Sequence, residues 1–279
     1  MKRVTIGIFI IVLGVILLGY PFAANYLSKK NGSYEAERYA ENIKKISEEE
    51  LRAEWEAAVI YNENLSGSPA HDPFVEGSGM AMADNYYDIL NINGSMGYIS
   101  IPYIDVNLPI YHGTSNETLQ KGVGHLEGSY LPVGGVGTHS VLTGHSGLPN
   151  AKLFTDLVEL KEGETFYLHI LEETLAYQID QVSVVEPNDV DKLKKVPNKD
   201  YCTLITCTPY GVNSHRLLIR GERVEYQEQN EQEAVQNAKR VWTQEEKLLA
   251  IAASITAGIM LILIVITIFI TRRKRKGFE

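Results

Sequence analysis

Residues 203–221 read TLITCTPYGVNSHRLLIRG, a stretch that combines two strand patterns with one cysteine and one facing arginine. Period-two alternation from Tyr201 onward places Cys207 on one face of the first strand. An antiparallel hairpin closing over residues 208–215 predicts that Arg216 lies next to Cys207. A neighbouring guanidinium favours the thiolate form of a cysteine, so the stretch predicts a reactive thiol.

A cysteine that accepts an acyl group also needs a proton source for the leaving amine. The TGHSG stretch at residues 143–147 follows an apolar strand and places His145 where the strand runs into a loop. His215 directly precedes Arg216 and therefore points to the opposite sheet face. The remaining histidines lack a comparable setting at a strand end: His71, His112, His125, His139 and His169. The sequence therefore predicts Cys207, His145 and Arg216 as the catalytic residues.

The chain has two cysteines, Cys202 and Cys207, and Cys202 lies on the strand face opposite to that of Cys207. In one extended strand the two are separated by ~16 Å at about 3.3 Å per residue, which no disulfide spans. We expect Cys202 to be a buried apolar residue. Alternatively, Cys207 is another buried core cysteine. For Arg216 the alternative is a surface ion pair.

The segment TLITC, followed nine residues later by Arg216, resembles the TLxTC…R signature of the sortase family. The resemblance spans roughly residues 95–225 and includes YHGT from Tyr111, GVGHLEG from Gly122, LPVGG from Leu131, Gly144-His145 and LFTDL from Leu153. The similarity extends to the pilin-polymerising class C sortases. It implies that Cys207, His145 and Arg216 form a transpeptidase site.

Two apolar segments flank this region and predict a membrane protein. Residues 4–20 carry no charge, follow Lys2 and Arg3, and extend to residue 27, so residues 1–27 predict a membrane anchor. A cleaved signal peptide is the alternative. Residues 248–270 carry no charge and run into a basic tail at 271–279, which predicts a transmembrane helix with a cytoplasmic C-terminus. Both termini are then cytoplasmic and the middle is extracellular.

The charge of the chain argues against nucleic acid as a partner. The formal net charge is −9, and the segment between the two basic ends carries about −15. Such a surface repels phosphate backbones. With 279 residues, the chain has room for one large domain and accessory segments.

Helical and linker segments surround the predicted catalytic domain. Residues 33–65 carry apolar side chains at three- and four-residue spacing and predict amphipathic helix. Ser47 and Glu50 fit a capping box, which predicts that a second helix starts there. Residues 226–247 are polar and predict a solvated, partly helical linker to the second membrane segment.

Residues 66–94 predict a connector, since glycine and proline recur every few positions in its first half. By themselves these residues fit a solvated loop with an incidental turn. Resemblance to class C sortases implies instead a lid made of Asp72, Pro73 and Phe74. In that interpretation Asp72 pairs with Arg216 and Phe74 covers Cys207.

Short alternating runs separated by turns fill residues 95–225. They predict seven or eight strands and therefore a mainly β fold, a sortase-like closed β-barrel with short helices. The glycines at 122–137 complete neither a phosphate-binding loop nor a dinucleotide motif, so we interpret them as turns. Histidine and cysteine spacings typical of metal sites are absent from the sequence, so we expect neither a metal nor a cofactor.

The resemblance implies a cysteine transpeptidase that cleaves an LPxTG-like sorting signal between Thr and Gly. The acyl group then passes to a lysine amine of another pilin subunit. One alternative is a housekeeping sortase that transfers the acyl group to a cell-wall precursor. Another is a two-pass extracellular binding module with an inert thiol.

Overall fold

The computed structural model describes residues 2–65, 72–74, 85–238, 254 and 258. Within them the helices are α1 (Lys2–Ile43), α2 (Glu48–Asn64), α3 (Asn116–Lys121) and α4 (Glu228–Ala238). The strands are β1 (Gly97–Ile101), β2 (Val106–His112), β3 (Val123–His125), β4 (Thr138–Thr143), β5 (Thr165–Ile170), β6 (Glu173–Val185), β7 (Asp200–Thr208) and β8 (His215–Val224). Short 3-10 turns cover Pro102–Ile104, Thr155–Glu159 and Asp191–Leu193.

The eight strands of the described chain close into a barrel in the order β1-β2-β3-β4-β7-β8-β6-β5. Two neighbouring pairs, β2 with β3 and β4 with β7, are parallel, and the others are antiparallel. The predicted mainly β fold with a closed barrel is confirmed.

The alternation of β7 separates the barrel interior from its outer face. Cys202 and Leu204 belong to the large apolar core, together with Leu142 of the neighbouring strand β4. Ile205 and Val141 belong to a second, smaller cluster on the outer face. The strand β7 is therefore buried on both faces along most of its length, which leaves its last residues as the accessible part.

We predicted that every glycine at 122–137 lies in a turn. This prediction is wrong for the glycines at strand β3. Gly122 and Gly124 lie at this short strand, where neighbouring backbone approaches closely. A Cβ atom at Gly124 would lie 2.3 Å from the carbonyl oxygen of Gly113, so only glycine fits. Four further glycines do adopt the positive φ typical of turns: Gly128, Gly134, Gly135 and Gly137.

The N-terminal helix is longer than the sequence pattern predicted. Helix α1 runs continuously to Ile43 through Pro21 and through Gly32. Gly32 permits close packing on β2, because a Cβ atom there would lie 2.9 Å from the Leu108 side chain. The predicted capping box at Ser47 and Glu50 is confirmed and starts α2.

Helix α4 lies in the predicted polar linker and is largely exposed, but Glu231 on its inner side contacts the barrel. Its Glu231 accepts a hydrogen bond from His169 of β5 (3.0 Å) and one from Tyr226 (2.9 Å). Among the helices that the structure describes, none meets the length and hydropathy expected of a membrane-crossing segment. The predicted second span at 248–270 lies outside the described residues, apart from positions 254 and 258.

Candidate active site

Cys207 and Arg216 are directly opposite one another in the β7–β8 ladder. Partners in such a ladder point to the same side, so the thiol and the guanidinium share the outer face of the barrel. The pairing predicted from the hairpin pattern is confirmed. The hairpin loop is shorter than expected, because the ladder continues to Thr208 and His215 and leaves residues 209–214 as the loop.

His145 lies in the loop that follows β4, beside the end of β7. The hydroxyl of Ser146 donates a hydrogen bond to the carbonyl oxygen of Cys207 (2.6 Å). On the other side of the histidine, the amide of Gly144 donates to the carbonyl oxygen of Ile205 (3.1 Å). These two bonds hold the backbone around His145 against the strand that carries the thiol.

The supporting hydroxyls are the part of the site that the sequence interpretation missed. Besides Ser146, Thr206 donates a hydrogen bond from its Oγ1 to the carbonyl oxygen of Gly144 (2.7 Å). Thr206 is buried and points away from the face of its neighbour Cys207. The available signal was the clustering of small hydroxyl residues on both sides of His145 and next to Cys207.

Two of the histidines set aside on sequence grounds do lie at strand ends. His112 ends β2 and His125 ends β3. Both are engaged elsewhere: a ring nitrogen of His112 lies 2.7 Å from the carbonyl oxygen of Ile89, and one of His125 lies 2.8 Å from that of Tyr130. Complete burial lowers the pKa of His125 to about 4. The premise that they lack a strand-end position was wrong, whereas burial and hydrogen bonding give them a structural role.

Asp72 forms a two-point ion pair with Arg216. The Nε of Arg216 donates to one carboxylate oxygen of Asp72 (2.9 Å) and its Nη2 to the other (2.5 Å). Both side chains are largely buried. Parallel donation of this kind is the strong form of an arginine–carboxylate contact. The predicted pairing of Asp72 with Arg216 is confirmed.

The ring of Phe74 packs on both His145 and Arg216. Its ring centroid lies 5.6 Å from that of His145, and the guanidinium carbon of Arg216 lies 5.0 Å from the same ring. The amide of Phe74 donates to the Asp72 carboxylate (3.2 Å), which fixes the turn between them. Residues 72–74 therefore contact both His145 and Arg216, as expected of the predicted lid.

Burial opposes the expected bias of Cys207 toward thiolate. Burial raises the pKa of Cys207, and the Arg216 charge that lowers it is opposed by the negative Asp72. Burial lowers the pKa of His145. Both effects favour a neutral thiol next to a neutral imidazole. Arg216 does lower the pKa of Cys207, as the hairpin pattern predicted, but burial outweighs its effect.

Cys202 behaves as the sequence predicted. It is a free thiol, fully buried in the barrel interior, and burial raises its pKa well above the usual value. A protonated, enclosed sulfur is an apolar packing group. Cys207 is also a free thiol, but it is half-buried.

A cleft extends from the lid along the outer face of the barrel. Asp72 and Pro73 form one wall, and the others are formed by Val185, Pro187, Asp189, Val190, Leu193, Ile205, Arg216 and Leu218. Most of these side chains are apolar, and three are charged: Asp72, Asp189 and Arg216.

Comparison with known proteins agrees with this geometry. The model of the sortase domain family matches residues 99–224. Sortase A of Listeria monocytogenes is 27% identical over 224 residues, which cover 80% of this chain and 91% of that protein.

Two solved structures are more similar in sequence. Sortase C of Streptococcus pneumoniae is 45% identical with a TM-score of 0.65, covering 69% of this chain and 97% of that one. Sortase C-1 of Actinomyces oris is 50% identical with a TM-score of 0.61, covering 64% and 99%. The chain thus belongs to the sortase family of cysteine transpeptidases and resembles its class C members.

Proposed function

We propose that the protein is a class C sortase that joins pilin subunits covalently. In this proposal it cleaves an LPxTG-like sorting signal between Thr and Gly and transfers the acyl group to a lysine amine of another subunit. The observation that carries the proposal is the convergence of Cys207, Arg216 and the His145 loop at one end of the β7–β8 hairpin. The S. pneumoniae sortase C, which is 45% identical, was studied for its pilin substrate specificity.

The reaction begins when the lid residues leave Arg216 and His145. The Cys207 proton then passes to His145, and the thiolate attacks the threonine carbonyl carbon of the signal. Arg216 stabilises the negative oxygen of the tetrahedral intermediate through the donors that Asp72 occupied. Collapse breaks the Thr–Gly bond, and the His145 imidazolium gives its proton to the departing glycine amine.

The second half transfers the acyl group from sulfur to nitrogen. A neutral lysine amine attacks the thioester carbonyl and loses a proton to His145. The carbon–sulfur bond breaks as the amide forms, and the proton returns to Cys207. The products are one new isopeptide bond and the original thiol and imidazole, so no external oxidant or reductant is required.

The proposed location is the cell membrane, with the barrel outside the cell and both termini in the cytoplasm. Its support is the uncharged composition of residues 4–20 and 248–270 and the basic tail that follows. Tethering an enzyme and its membrane-bound substrates to the same surface raises their effective concentration.

Mass spectrometry of the protein incubated with a sorting-signal peptide tests the proposal. We expect a thioester on Cys207 that disappears in Cys207→Ala and is strongly reduced in His145→Ala. Incubation with purified pilins should then give a ladder of covalent polymers. Acyl transfer to a wall-type peptide without polymers would support the housekeeping alternative, and absence of any thioester would support a binding module.

A further inference from the structure

Helix α1 runs from the predicted membrane anchor directly into contact with the barrel. Residues 4–20 are uncharged, and the same helix continues beyond them without interruption. Its Lys29 donates a hydrogen bond to the carboxylate of Asp105, just before β2. Three residues later, Gly32 packs closely on Leu108 of β2. The separation between the anchor and the barrel is therefore set by helix geometry.

This geometry places Asp105 close to the surface of the bilayer. About 20 helical residues cross the hydrocarbon core, and counted from Val4 they end at Ala23. From Ala23 to Lys29 the helix rises ~9 Å at about 1.5 Å per residue. The headgroup layer extends about 5–8 Å beyond the hydrocarbon on each side. Asp105, which binds Lys29, therefore lies at the outer border of that layer.

The exposed side chains of α1 at this depth are those of a membrane interface. Tyr20, Phe22 and Tyr26 are between 48% and 68% exposed. Exposed Lys29 and Lys30 follow them. Tyrosine rings are enriched at the level of the headgroups, and lysines near helix ends extend toward water.

Two exposed apolar side chains lie on the barrel next to Asp105. Tyr103 is 53% exposed and belongs to the 3-10 turn Pro102–Ile104, which ends at Asp105. Val158 is 68% exposed and belongs to the 3-10 turn Thr155–Glu159. The two turns contact each other. Tyr103 and Val158 thus form one surface, which we call the end surface.

The end surface lies at the same end of the barrel as the candidate site. Strand β2 is parallel to β3, β3 is antiparallel to β4, and β4 is parallel to β7. Strand β2 therefore begins at the end where β4 and β7 finish. In addition, the amide of Phe154 donates to the carbonyl oxygen of His145 (3.0 Å). The turn that carries Val158 follows Phe154 directly and is thereby joined to the His145 loop.

The charges beside the end surface set the depth that it can reach. Asp105 binds Lys29, and Asp156 binds Lys152 (3.0 Å). Glu159 is exposed next to Val158. Burial of such charges in hydrocarbon is costly, whereas the headgroup layer is polar and hydrated. The end surface therefore fits the headgroup layer and not the hydrocarbon core.

We propose that the end surface rests in the headgroup layer of the membrane, so that the catalytic end of the barrel faces the bilayer. The inference rests on the proposed membrane location and deepens the proposed function. A sorting signal that leaves the same membrane then reaches Cys207 without passing along the length of the barrel.

Fluorescence quenching by lipids tests the proposal in Cys207→Ala protein reconstituted into vesicles. Cys202 is fully buried and stays in place. The variants Tyr103→Cys, Val158→Cys and Val136→Cys each carry a fluorescent maleimide. The vesicles contain phosphatidylglycerol and phosphatidylcholine, with a nitroxide on part of the phosphatidylcholine headgroups. Protein without an added cysteine should take up no label.

Val136 is the matched control because it is 80% exposed and precedes β4. It therefore lies at the opposite end of that strand, whose six residues span ~20 Å at about 3.3 Å per residue. We expect quenching at Tyr103→Cys and Val158→Cys to be about twofold or more that at Val136→Cys, because the headgroup layer is only about 5–8 Å deep.

Equal quenching at the three positions, or none, would overturn the inference. Protection of the two end-surface probes from an aqueous quencher without quenching by lipid would also overturn it, and an increase of that protection with the protein-to-lipid ratio would indicate a second copy as the occupant. Circular dichroism verifies the fold of each variant. Glu159→Cys, on the same turn, replaces Val158→Cys if that variant does not fold.

Failure of this inference is distinguishable from failure of the proposed function, since the quenching needs no catalysis. If the protein does not float with the vesicles, the proposed membrane location and this inference both fail. If it floats and wild type forms the thioester, but the end surface is quenched no more than Val136→Cys, only the placement of the barrel is wrong. If wild type forms no thioester, the proposed function fails, and the quenching still decides the placement.

Discussion

Arg216 serves both the closed and the reacting site because its guanidinium has two sets of donors. Nη1 donates to the carbonyl oxygens of Asn213 and His215, both at 3.1 Å, which fixes the plane of the group. Nε and Nη2 bind Asp72. When the lid leaves, these two donors become available in a fixed orientation. A lysine offers a single charged point and cannot reproduce the arrangement.

Arg216→Lys should therefore reduce peptide cleavage by about 100-fold or more, which is the usual cost of losing an oxyanion donor. The measurement is kcat/KM with a sorting-signal peptide, accompanied by a thermal melt to verify folding. Arg220→Lys is the matched control. Arg220 also binds a carboxylate at two points, Asp180 (3.0 and 2.7 Å), and lies on the same strand face. Equal losses in the two variants would show that the effect is structural.

The pH dependence of thiol alkylation reports the effect of the lid on Cys207. Burial and the negative Asp72 raise the pKa of Cys207 in the closed state. Replacing Asp72 and Phe74 with alanine removes both causes, so the pKa should fall. We expect faster alkylation by a small reagent and a midpoint displaced to lower pH, because more thiolate is present at each pH. The control is Asp180→Ala, and an unchanged profile in the lid variant would mean that no plug exists.

A buried tyrosine links α1 to the barrel through two hydrogen bonds. The hydroxyl of Tyr39 donates to the carbonyl oxygen of Met96 (3.0 Å) and accepts from the amide of Leu171 (2.9 Å). It thereby joins the helix to the chain before β1 and after β5. Burial raises the pKa of this phenol, so it remains a donor.

Tyr39→Phe should lower the free energy of unfolding by about 1–3 kcal/mol, because two buried backbone groups lose their partner. The measurement is urea unfolding followed by circular dichroism. Tyr34→Phe on the same helix is the control, since Tyr34 is exposed, and its effect should stay within about 0.5 kcal/mol. Equal stability of Tyr39→Phe and wild type would show that the hydroxyl does not hold α1 to the barrel.

At the scale of the whole molecule, the candidate site and the contacts with α1 and α4 lie on different sides of the barrel. In the circular strand order, β4, β7 and β8 carry the candidate site, whereas β1 and β5 lie on the far side and bind Tyr39 and Glu231. Tyr39 of α1 and Glu231 of α4 therefore contact the barrel away from the candidate site.

Membrane topology can be measured with single cysteines in a Cys202→Ala, Cys207→Ala background. Val136→Cys on the exposed barrel surface should react in intact cells with a membrane-impermeant maleimide. Lys276→Cys in the basic tail should react only after permeabilisation, because positive tails remain cytoplasmic. Labelling of Lys276→Cys in intact cells would exclude the proposed two-pass topology.

The local patterns of the sequence determined much of this protein. Alternation in β7 and β8 set Cys207 opposite Arg216, and Ser47 with Glu50 set the start of α2, because both features depend on neighbours a few residues apart. The tertiary structure alone decided that β3 exists, since Gly124 is explained by the close approach of the Gly113 carbonyl. It also decided the burial that raises the pKa of Cys207. Desolvation and hydrogen-bond satisfaction depend on groups distant in the chain, such as Asp72 and Phe74, which no local pattern brings to the site.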